Sequence, residues 1–121
     1  MFFETKDTSR EALQAHGLSF NPFKAIVTPR PIGWVTSRNR DGVVNLAPFS
    51  FFNAVSSDPP IVVYGANGTH EADGGEKDSL RNVRETGEFV CNLATWELRS
   101  QMNLTSTPAP PGVDESQGVA L

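Results

Sequence analysis

Cysteine and histidine are scarce in this sequence of 121 residues, which has a single cysteine, Cys91, and two histidines, His16 and His70. One cysteine cannot close an intrachain disulfide, so we expect a chain of the reducing cytoplasm rather than a disulfide-stabilised scaffold. A metal centre needs several converging His, Cys or carboxylate ligands. We expect no metal site, and we interpret His70-Glu71-Ala72-Asp73 as an acidic surface loop.

Long apolar runs are also missing. No window approaches the ~20 apolar residues that a transmembrane helix needs, and Glu4, Lys6 and Asp7 fall where a signal peptide would be apolar. Ten Lys and Arg against 14 Asp and Glu give a formal charge of −4, a poor match to a polyanion. We therefore expect neither a membrane nor a nucleic acid as partner.

The common catalytic signatures are absent as well. The sequence has no G-x-S-x-G elbow, no P-loop and no G-x-G-x-x-G fingerprint. Cys91 stands among Phe89, Val90 and Leu93, which favours a buried structural thiol over a nucleophile. We assign no catalytic side chain.

The residues that are present predict one compact, mainly β domain with short helices. Hydrophobic residues make up 38% of the chain and include 8 Phe and 2 Trp, enough to bury a core. From Lys24 onward, β-branched and aromatic runs alternate with Pro and Gly, which is typical of strands and tight turns. The predicted strands cover about 24–28, 31–38, 43–47, 49–56, 60–66 and 88–94.

This pattern divides the chain into three parts. An N-terminal arm covers residues 1–23, the β core covers residues 24–105, and a Pro/Gly-rich tail without regular structure covers residues 106–121. Asp41-Gly42 supplies the positive φ of a hairpin turn, so the flanking strands are expected to pair antiparallel. Asp58-Pro59-Pro60 is expected to end the strand before it.

Three short helices are predicted from capping residues and apolar spacing. They run from Thr8 through Leu13, from Lys77 to Thr86, and from just after Thr95, where Leu98 and Met102 lie four apart. Gly17 and Gly87 follow the first two helices as C-terminal stops. Asp78 and Ser79 are the expected caps of the second helix.

Positive charge is concentrated in two places. Residues 12–40 contain four cations and no Asp or Glu. Lys77 and Ser79 add a cation and a hydroxyl at a helix N-terminus, where free amides and the helix dipole favour an anion. From these residues alone, the segment fits either a phosphate site or an ordinary capped surface helix.

An aromatic run between Asn45 and Ser56 is interrupted by small polar residues, among them Ser50 and Asn53. A flat heteroaromatic ligand needs apolar contact on its faces and hydrogen bonds at its edge, and such a strand offers both. The same pattern also fits core aromatics whose polar neighbours bond local backbone groups. Both interpretations remain open at this point.

Three blocks occur in an order more specific than any one of them. They are TPRPIGWVTS at 28–37, NLAPFSFFNAVSSDPP at 45–60, and KDSLRN at 77–82 followed by TGEFVCN at 86–92. Together they cover most of residues 24–103, and they resemble the flavin reductase-like family with the FMN-binding split barrel. The resemblance implies a Greek-key antiparallel β-barrel with short helices, in a homodimer with FMN near the subunit interface.

The resemblance also implies a function. FMN would be the cofactor, NAD(P)H the reductant, and a small molecule or a protein the electron acceptor. Among the implied FMN-binding residues, Thr36 and Ser37 would approach the flavin or its phosphate, and Asn45, Leu46 and Ala47 would contact the edge of the ring. Ser50, Phe51 and Phe52 would continue the wall beside the ring. Lys77, Asp78 and Ser79 would hold the phosphate end.

Members of this family continue into further strands beyond the segment that matches residues 107–115. The resemblance therefore implies a barrel that is either incomplete in this chain or completed across a dimer, since an open sheet edge invites association. Two alternatives to an enzyme follow from it: an FMN-binding electron carrier and a non-catalytic dimerisation module of the same fold.

Overall fold

The computed structural model describes residues 9–69, 74–107 and 113–118. The acidic loop predicted at 70–73 and the proline cluster at 108–111 lie outside the described residues. The chain divides into two compact units, an N-terminal unit (Met1–Arg30) and a sheet unit (Pro31–Leu121).

The N-terminal unit begins with the predicted helix, α1 (Arg10–Ala15). Ser9 caps it, because its Oγ accepts a hydrogen bond from the Ala12 N–H at 3.2 Å. Gly17 follows with a φ of 72°, a conformation that glycine adopts at little steric cost. The described part of this prediction is confirmed.

The strand predicted at 24–28 is wrong, because this segment forms a second helix, α2 (Phe23–Ile26). Asn21 Oδ1 accepts the Phe23 N–H at 2.9 Å, which starts the turn. The Arg30 guanidinium donates to the carbonyls of Lys24 and Val27, at 2.6 and 2.9 Å. These local hydrogen bonds override the β propensity of the segment.

The sheet unit contains a three-stranded antiparallel sheet in the order β2-β1-β5, made of β1 (Gly33–Arg38), β2 (Val44–Phe49) and β5 (Val90–Asn92). The turn between β1 and β2 is the predicted hairpin. Asn39 Oδ1 accepts the N–H groups of Asp41 and Val43, at 3.0 and 2.9 Å, and Gly42 has a φ of 85°.

A second sheet consists of the hairpin β3 (Phe52–Ser57) and β4 (Pro60–Tyr64). The pairing is antiparallel, with a bulge between Ala54 and Ser56. As predicted, β3 ends before the proline pair at 59–60. Strands of the described residues form these two open sheets, without closing a barrel.

Helices cover both faces of the three-stranded sheet. On one face, α4 (Arg99–Leu104) helps to bury Trp34 and Leu46, both 2% exposed, with Met102 against them. The Trp34 indole N–H donates to Thr105 Oγ1 at 3.0 Å, so this aromatic ring is both buried and hydrogen-bonded. The other face carries α3 (Asp78–Thr86).

Helix α3 lies where the sequence predicts it, whereas α4 begins at Arg99 rather than just after Thr95. Helix α3 ends at Gly87, whose φ is 77° and whose N–H donates to the Val83 carbonyl at 2.8 Å. The predicted caps are wrong. Lys77 occupies the N-cap position, and no described side chain caps the helix. Ser79 lies two positions beyond the N-cap and faces the sheet, where it accepts the Asn45 amide.

Two further predictions need correction. Cys91 is exposed, not buried, because β5 is an edge strand of the sheet. The predicted irregular tail includes a 3-10 helix, Glu115–Gly118, which packs on β2. Asp114 organises its first turn by accepting hydrogen bonds from the N–H and the hydroxyl of Ser116, at 3.0 and 2.5 Å.

Candidate functional site

Four buried polar side chains join α3 to the β1–β2 hairpin. They are Ser37, Asn45, Ser79 and Asn82, with exposures of 3, 8, 3 and 3%, and we call them the polar clamp. The Asn45 Nδ2 group donates to Ser79 Oγ at 3.0 Å. The Asn82 Nδ2 group donates to Ser37 Oγ at 3.2 Å.

The periodicities of strand and helix bring these side chains together. Ser37 and Asn45 are direct cross-strand partners in the β1–β2 register, so their side chains lie on one face of the sheet. Ser79 and Asn82 are three residues apart on α3 and therefore share one helix face. Each strand residue is hydrogen-bonded to one helix residue, and these buried hydrogen bonds fix the position of α3 along its axis on the sheet.

The polar clamp holds the first turn of α3 next to the hairpin. Asp78 forms an ion pair with Arg81, three residues further on. Arg38, Arg81 and Arg84 each pair with a carboxylate, whereas Lys77 is not part of the ion pairs between described residues. The first N–H groups of a helix have no partner in a preceding turn, and in α3 the Leu80 N–H already donates to the Lys77 carbonyl at 3.0 Å. The amides before Leu80 stand beside the Lys77 ammonium group.

Thr36 and Leu46 lie on the opposite face of the sheet from Ser37 and Asn45. They form part of the wall of a cleft of about 270 Å³, lined also by Trp34, Asn92, Leu93 and Leu98. The Asn92 Nδ2 group donates to Thr36 Oγ1 at 2.7 Å and to the Trp34 carbonyl at 3.1 Å. The predicted FMN-binding residues of β1 and β2 are therefore divided between two faces.

The remaining predicted ring contacts lie in β2 and in the connection from β2 to β3. Ala47 is the cross-strand partner of Val35. Ser50 and Phe51 connect β2 to β3, and the Phe51 carbonyl accepts the Gly65 N–H at 2.8 Å. All three are partly buried.

Phe52 has a structural role in this connection. Its ring lies against Gly33, close enough that a Cβ built on that glycine would come within 2.5 Å of a ring carbon. Only a glycine at position 33 allows this contact between β3 and β1. Phe52 therefore links the two sheets, whatever else it contacts.

The structure thus brings together Ser37, Asn45 and Ser79, with Lys77 and Asp78 at the adjoining helix start. Thr36 and Leu46 belong to another surface. Sequence reasoning missed Asn82 and Asn92, which make buried or partly buried hydrogen bonds. The spacing of Asn82 three residues after Ser79, on the buried face of a predicted helix, was the signal for the first of them.

The cations of the positive segment are paired where they reach the sheet unit. Arg38 forms a 2.7 Å ion pair with Glu88, and the Arg40 guanidinium donates to the Glu85 carbonyl at 3.5 Å. These contacts lie at the other end of α3 from Lys77. Neighbouring carboxylate and carbonyl groups reduce the attraction of this end for an anion.

Tyr64 in the sheet unit is an ionisable group whose pKa is shifted by its surroundings. Tyr64 packs against the rings of Phe49 and Phe89, with centroids 4.9 and 5.1 Å away. Burial raises the pKa of the Tyr64 phenol above its ordinary value of 10.0, and the nearby Cys91 raises it further. Tyr64 is therefore neutral near pH 7 and acts as a packing residue.

Within residues 9–69, 74–107 and 113–118, no three His, Cys, Asp or Glu side chains are grouped so as to hold a metal ion. None of the helices in the same part of the chain is long and apolar enough to cross a membrane.

The start of α3 fits the phosphate group of a nucleotide cofactor. Three cations, Lys77, Arg81 and Arg84, stand against two carboxylates, Glu76 and Asp78, so the formal local charge is positive. The Lys77 side chain at the N-cap position makes no capping hydrogen bond, and a phosphate oxygen can accept from helix amides at such a position. A nucleotide with an anionic end and a flat aromatic end suits this position, since partly buried aromatic residues follow β2.

Comparison with solved structures identifies the architecture. Component B of nitrilotriacetate monooxygenase from Bacillus cereus aligns with 98% of this chain and 55% of its own, with a TM-score of 0.74 and 27% identity. The 2-nitrobenzoate 2-nitroreductase NbaA of Pseudomonas fluorescens aligns with 87% of this chain and 50% of its own, with a TM-score of 0.66 and 31% identity. The predicted fold class, a mainly β split barrel with short helices, is confirmed.

Sequence comparison gives the family. The model of the flavin reductase like domain matches residues 26–121, and the chain belongs to this family. An uncharacterised protein of Aquifex aeolicus is 36% identical over 121 residues, which is 100% of this chain and 58% of that relative. The chain spans about half the length of the curated relatives it matches.

Proposed function

We propose that this protein is an FMN-dependent oxidoreductase, which passes reducing equivalents from NADH or NADPH to an acceptor. The observation that carries the proposal is the start of α3, where the N-cap residue Lys77 makes no side-chain capping hydrogen bond and the polar clamp holds the first turn on the sheet. Membership of the flavin reductase like domain family supports a flavin as the ligand.

In this proposal, the first turn of α3 binds the phosphate group of FMN. The Lys77 ammonium and the first-turn amides would donate to phosphate oxygens, and Asp78 would keep Arg81 oriented through their ion pair. In the polar clamp Asn45 donates to Ser79 and Asn82 donates to Ser37, so these hydrogen bonds hold the turn on the sheet. Ala47, Ser50, Phe51 and Phe52 would provide the wall for the ring.

Bound FMN supplies the redox chemistry, since a flavin accepts a hydride and passes electrons onward. The protein's own task is to bind the cofactor, orient it and shape the approach to it. No side chain is therefore assigned as an acid, a base or a nucleophile. Thr36 and Leu46 line the cleft on the opposite face of the sheet, so a contact between them and the cofactor stays a prediction.

A kinetic experiment tests the enzymatic part of the proposal. Purified protein with added FMN is expected to oxidise NADH or NADPH faster than the same concentration of free FMN does. Apoprotein without flavin is the matched control and is expected to show no oxidation. Rates equal to those of free FMN with both nucleotides would contradict the proposed reaction.

The β3–β4 hairpin supports a homodimer as the active form. Ile61 and Val63 are 46 and 51% exposed, and Val55 at the bulge is 62% exposed. Apolar strands with unpaired edges are surfaces on which a second chain can be bound. A solution mass of twice 13.1 kDa is expected from sedimentation analysis, and a mass that stays at 13.1 kDa at all concentrations would exclude the dimer.

A second candidate function is an FMN-binding electron carrier that receives electrons from a protein partner. The same exposed apolar hairpin favours it, because such a surface can also bind a redox partner. Tight FMN binding without oxidation of NADH or NADPH would favour the carrier. For either function the proposed compartment is the reducing cytoplasm, which suits a chain with one exposed thiol.

A further inference from the structure

Asn82 makes a buried contact that the proposed FMN contacts do not include. It lies in the middle of α3, is 3% exposed, and donates from Nδ2 to Ser37 Oγ on β1 at 3.2 Å. At the same time its backbone carbonyl accepts the Thr86 hydroxyl at 2.9 Å. The residue therefore connects the helix both to the sheet and to its own last turn.

A buried amide in this position needs its partner. An asparagine side chain that loses its hydrogen bond in the interior is left with the full cost of desolvation. Leucine or alanine would pack against the sheet without that requirement. The hydrogen bond between this amide and the Ser37 hydroxyl therefore selects one axial position and one rotation of α3 on β1. Apolar packing alone does not select them.

The hydrogen bonds of the polar clamp also fix the position of the first turn of α3. Ser79 is three residues before Asn82, on the same face, and accepts the Asn45 amide at 3.0 Å. Two hydrogen bonds, one from each strand of the hairpin, thus orient one rigid helical turn. Lys77 and the amides of the first turn move with that turn.

We infer that Asn82 is a positioning residue for the phosphate of FMN, acting through Ser37 and never touching the cofactor. This inference rests on the proposed function. Without the Asn82 bond, α3 has more freedom on the sheet, and the phosphate donors are no longer held in one geometry. The loss is expected to affect a ligand that carries the phosphate and to spare one that lacks it.

The test compares FMN with riboflavin, which has the same ring system and no phosphate. In the unmodified protein FMN is expected to bind more tightly than riboflavin. Asn82→Ala is expected to reduce this preference about 3- to 10-fold, the equivalent of one buried neutral hydrogen bond. Both affinities are measured by quenching of flavin fluorescence.

Two further variants make the readout specific. Ser37→Ala removes the acceptor and is expected to reduce the preference as Asn82→Ala does, and the double variant is expected to be no worse than either single one. Thr86→Val removes the hydrogen bond from the Thr86 hydroxyl to the Asn82 backbone carbonyl. This bond lies within α3 and does not join the helix to the sheet. It is expected to lower the unfolding free energy while leaving the FMN preference unchanged.

Each outcome decides between the inference and the function on which it rests. If the unmodified protein binds neither flavin, the proposed function and the inference both fail. If it prefers FMN and the folded Asn82→Ala variant keeps that preference, only the inference fails. Should Asn82→Ala not fold, the Ser37→Ala variant decides in the same way.

Discussion

The two hairpins of the sheet unit contain similar strand-forming residues but differ in what covers them. In the β1–β2 hairpin, Trp34, Val35 and Leu46 are buried under α3 and α4, whereas Val55 and Val63 of the β3–β4 hairpin are exposed. Polar side chains differ in the same way. Those of β1 and β2 bond to a helix, while Asn53 of β3 is exposed.

This difference separates strand formation from burial. A β-branched run is sufficient to form a hairpin, but a covering helix makes that hairpin part of a core. The hairpin that is covered on both faces also carries the polar clamp and the start of α3. The exposed hairpin is the one that we propose to bind another chain.

The largest effect is expected from Trp34→Ala, which removes the most buried ring of the covered hairpin. We expect its unfolding free energy to fall by about 3–5 kcal/mol, through lost burial and the cavity left behind. Val63→Ala is a smaller truncation in the exposed hairpin and should cost about 0.5 kcal/mol or less in the dilute protein. Urea titration measures both, and equal losses would remove the proposed distinction.

Lys77→Ala tests whether the start of α3, which lies on the covered hairpin, binds the phosphate of FMN. A charge-assisted hydrogen bond to phosphate is worth about 1.5–3 kcal/mol, so FMN affinity should fall by that amount and riboflavin affinity should not. Lys24→Ala, a loss of the same charge in the N-terminal unit, is the control. If both ligands weaken equally, Lys77 does not hold the phosphate.

Gly33→Ala tests the junction between the hairpins. The new Cβ would come within 2.5 Å of the Phe52 ring, and the resulting shift should cost about 1–3 kcal/mol of unfolding free energy. The same substitution in a Phe52→Ala background should cost much less, since the ring is no longer in the way. Thermal or urea unfolding of the four proteins measures this coupling, and additive losses would speak against the contact.

The smallest effect is expected from Tyr64→Phe, and it depends on pH. Because the native pKa of Tyr64 is raised above 10.0, the unfolded chain releases this proton at a lower pH than the folded protein does. Stability is therefore lost as pH rises from the ordinary pKa to the native pKa. Below the ordinary pKa the contribution is fully present. Tyr64 is the only tyrosine in the sequence, so the variant should show a smaller loss of stability as pH rises above 10.0. An unchanged pH dependence would contradict the raised pKa.

Much of the fold could be predicted because its signals are local. Asp41-Gly42, the proline pair at 59–60 and Gly87 mark a turn, a strand end and a helix end, and each acts through its own backbone preferences. The segment 24–28 could not be assigned correctly from composition. Its helix depends on the side-chain hydrogen bonds of Asn21 and Arg30, which a strand propensity does not reveal.

The candidate site was predictable only in part. The resemblance named Ser37, Asn45 and Ser79, and the structure brings them together, but as partners within a clamp. It also named Thr36 and Leu46, which the alternation of side chains along a strand carries to the opposite face. The exposure of Cys91 depends on the position of β5 at the sheet edge, which is a property of the topology and not of its apolar neighbours.

The central claim is that this chain binds FMN, and absorbance tests it most directly. The purified protein is incubated with FMN, desalted and scanned in the visible range, with its mass in solution measured on the same sample. We predict that a two-banded flavin spectrum stays with the protein and saturates with added FMN. A protein that remains colourless and never saturates, although folded, would contradict the claim.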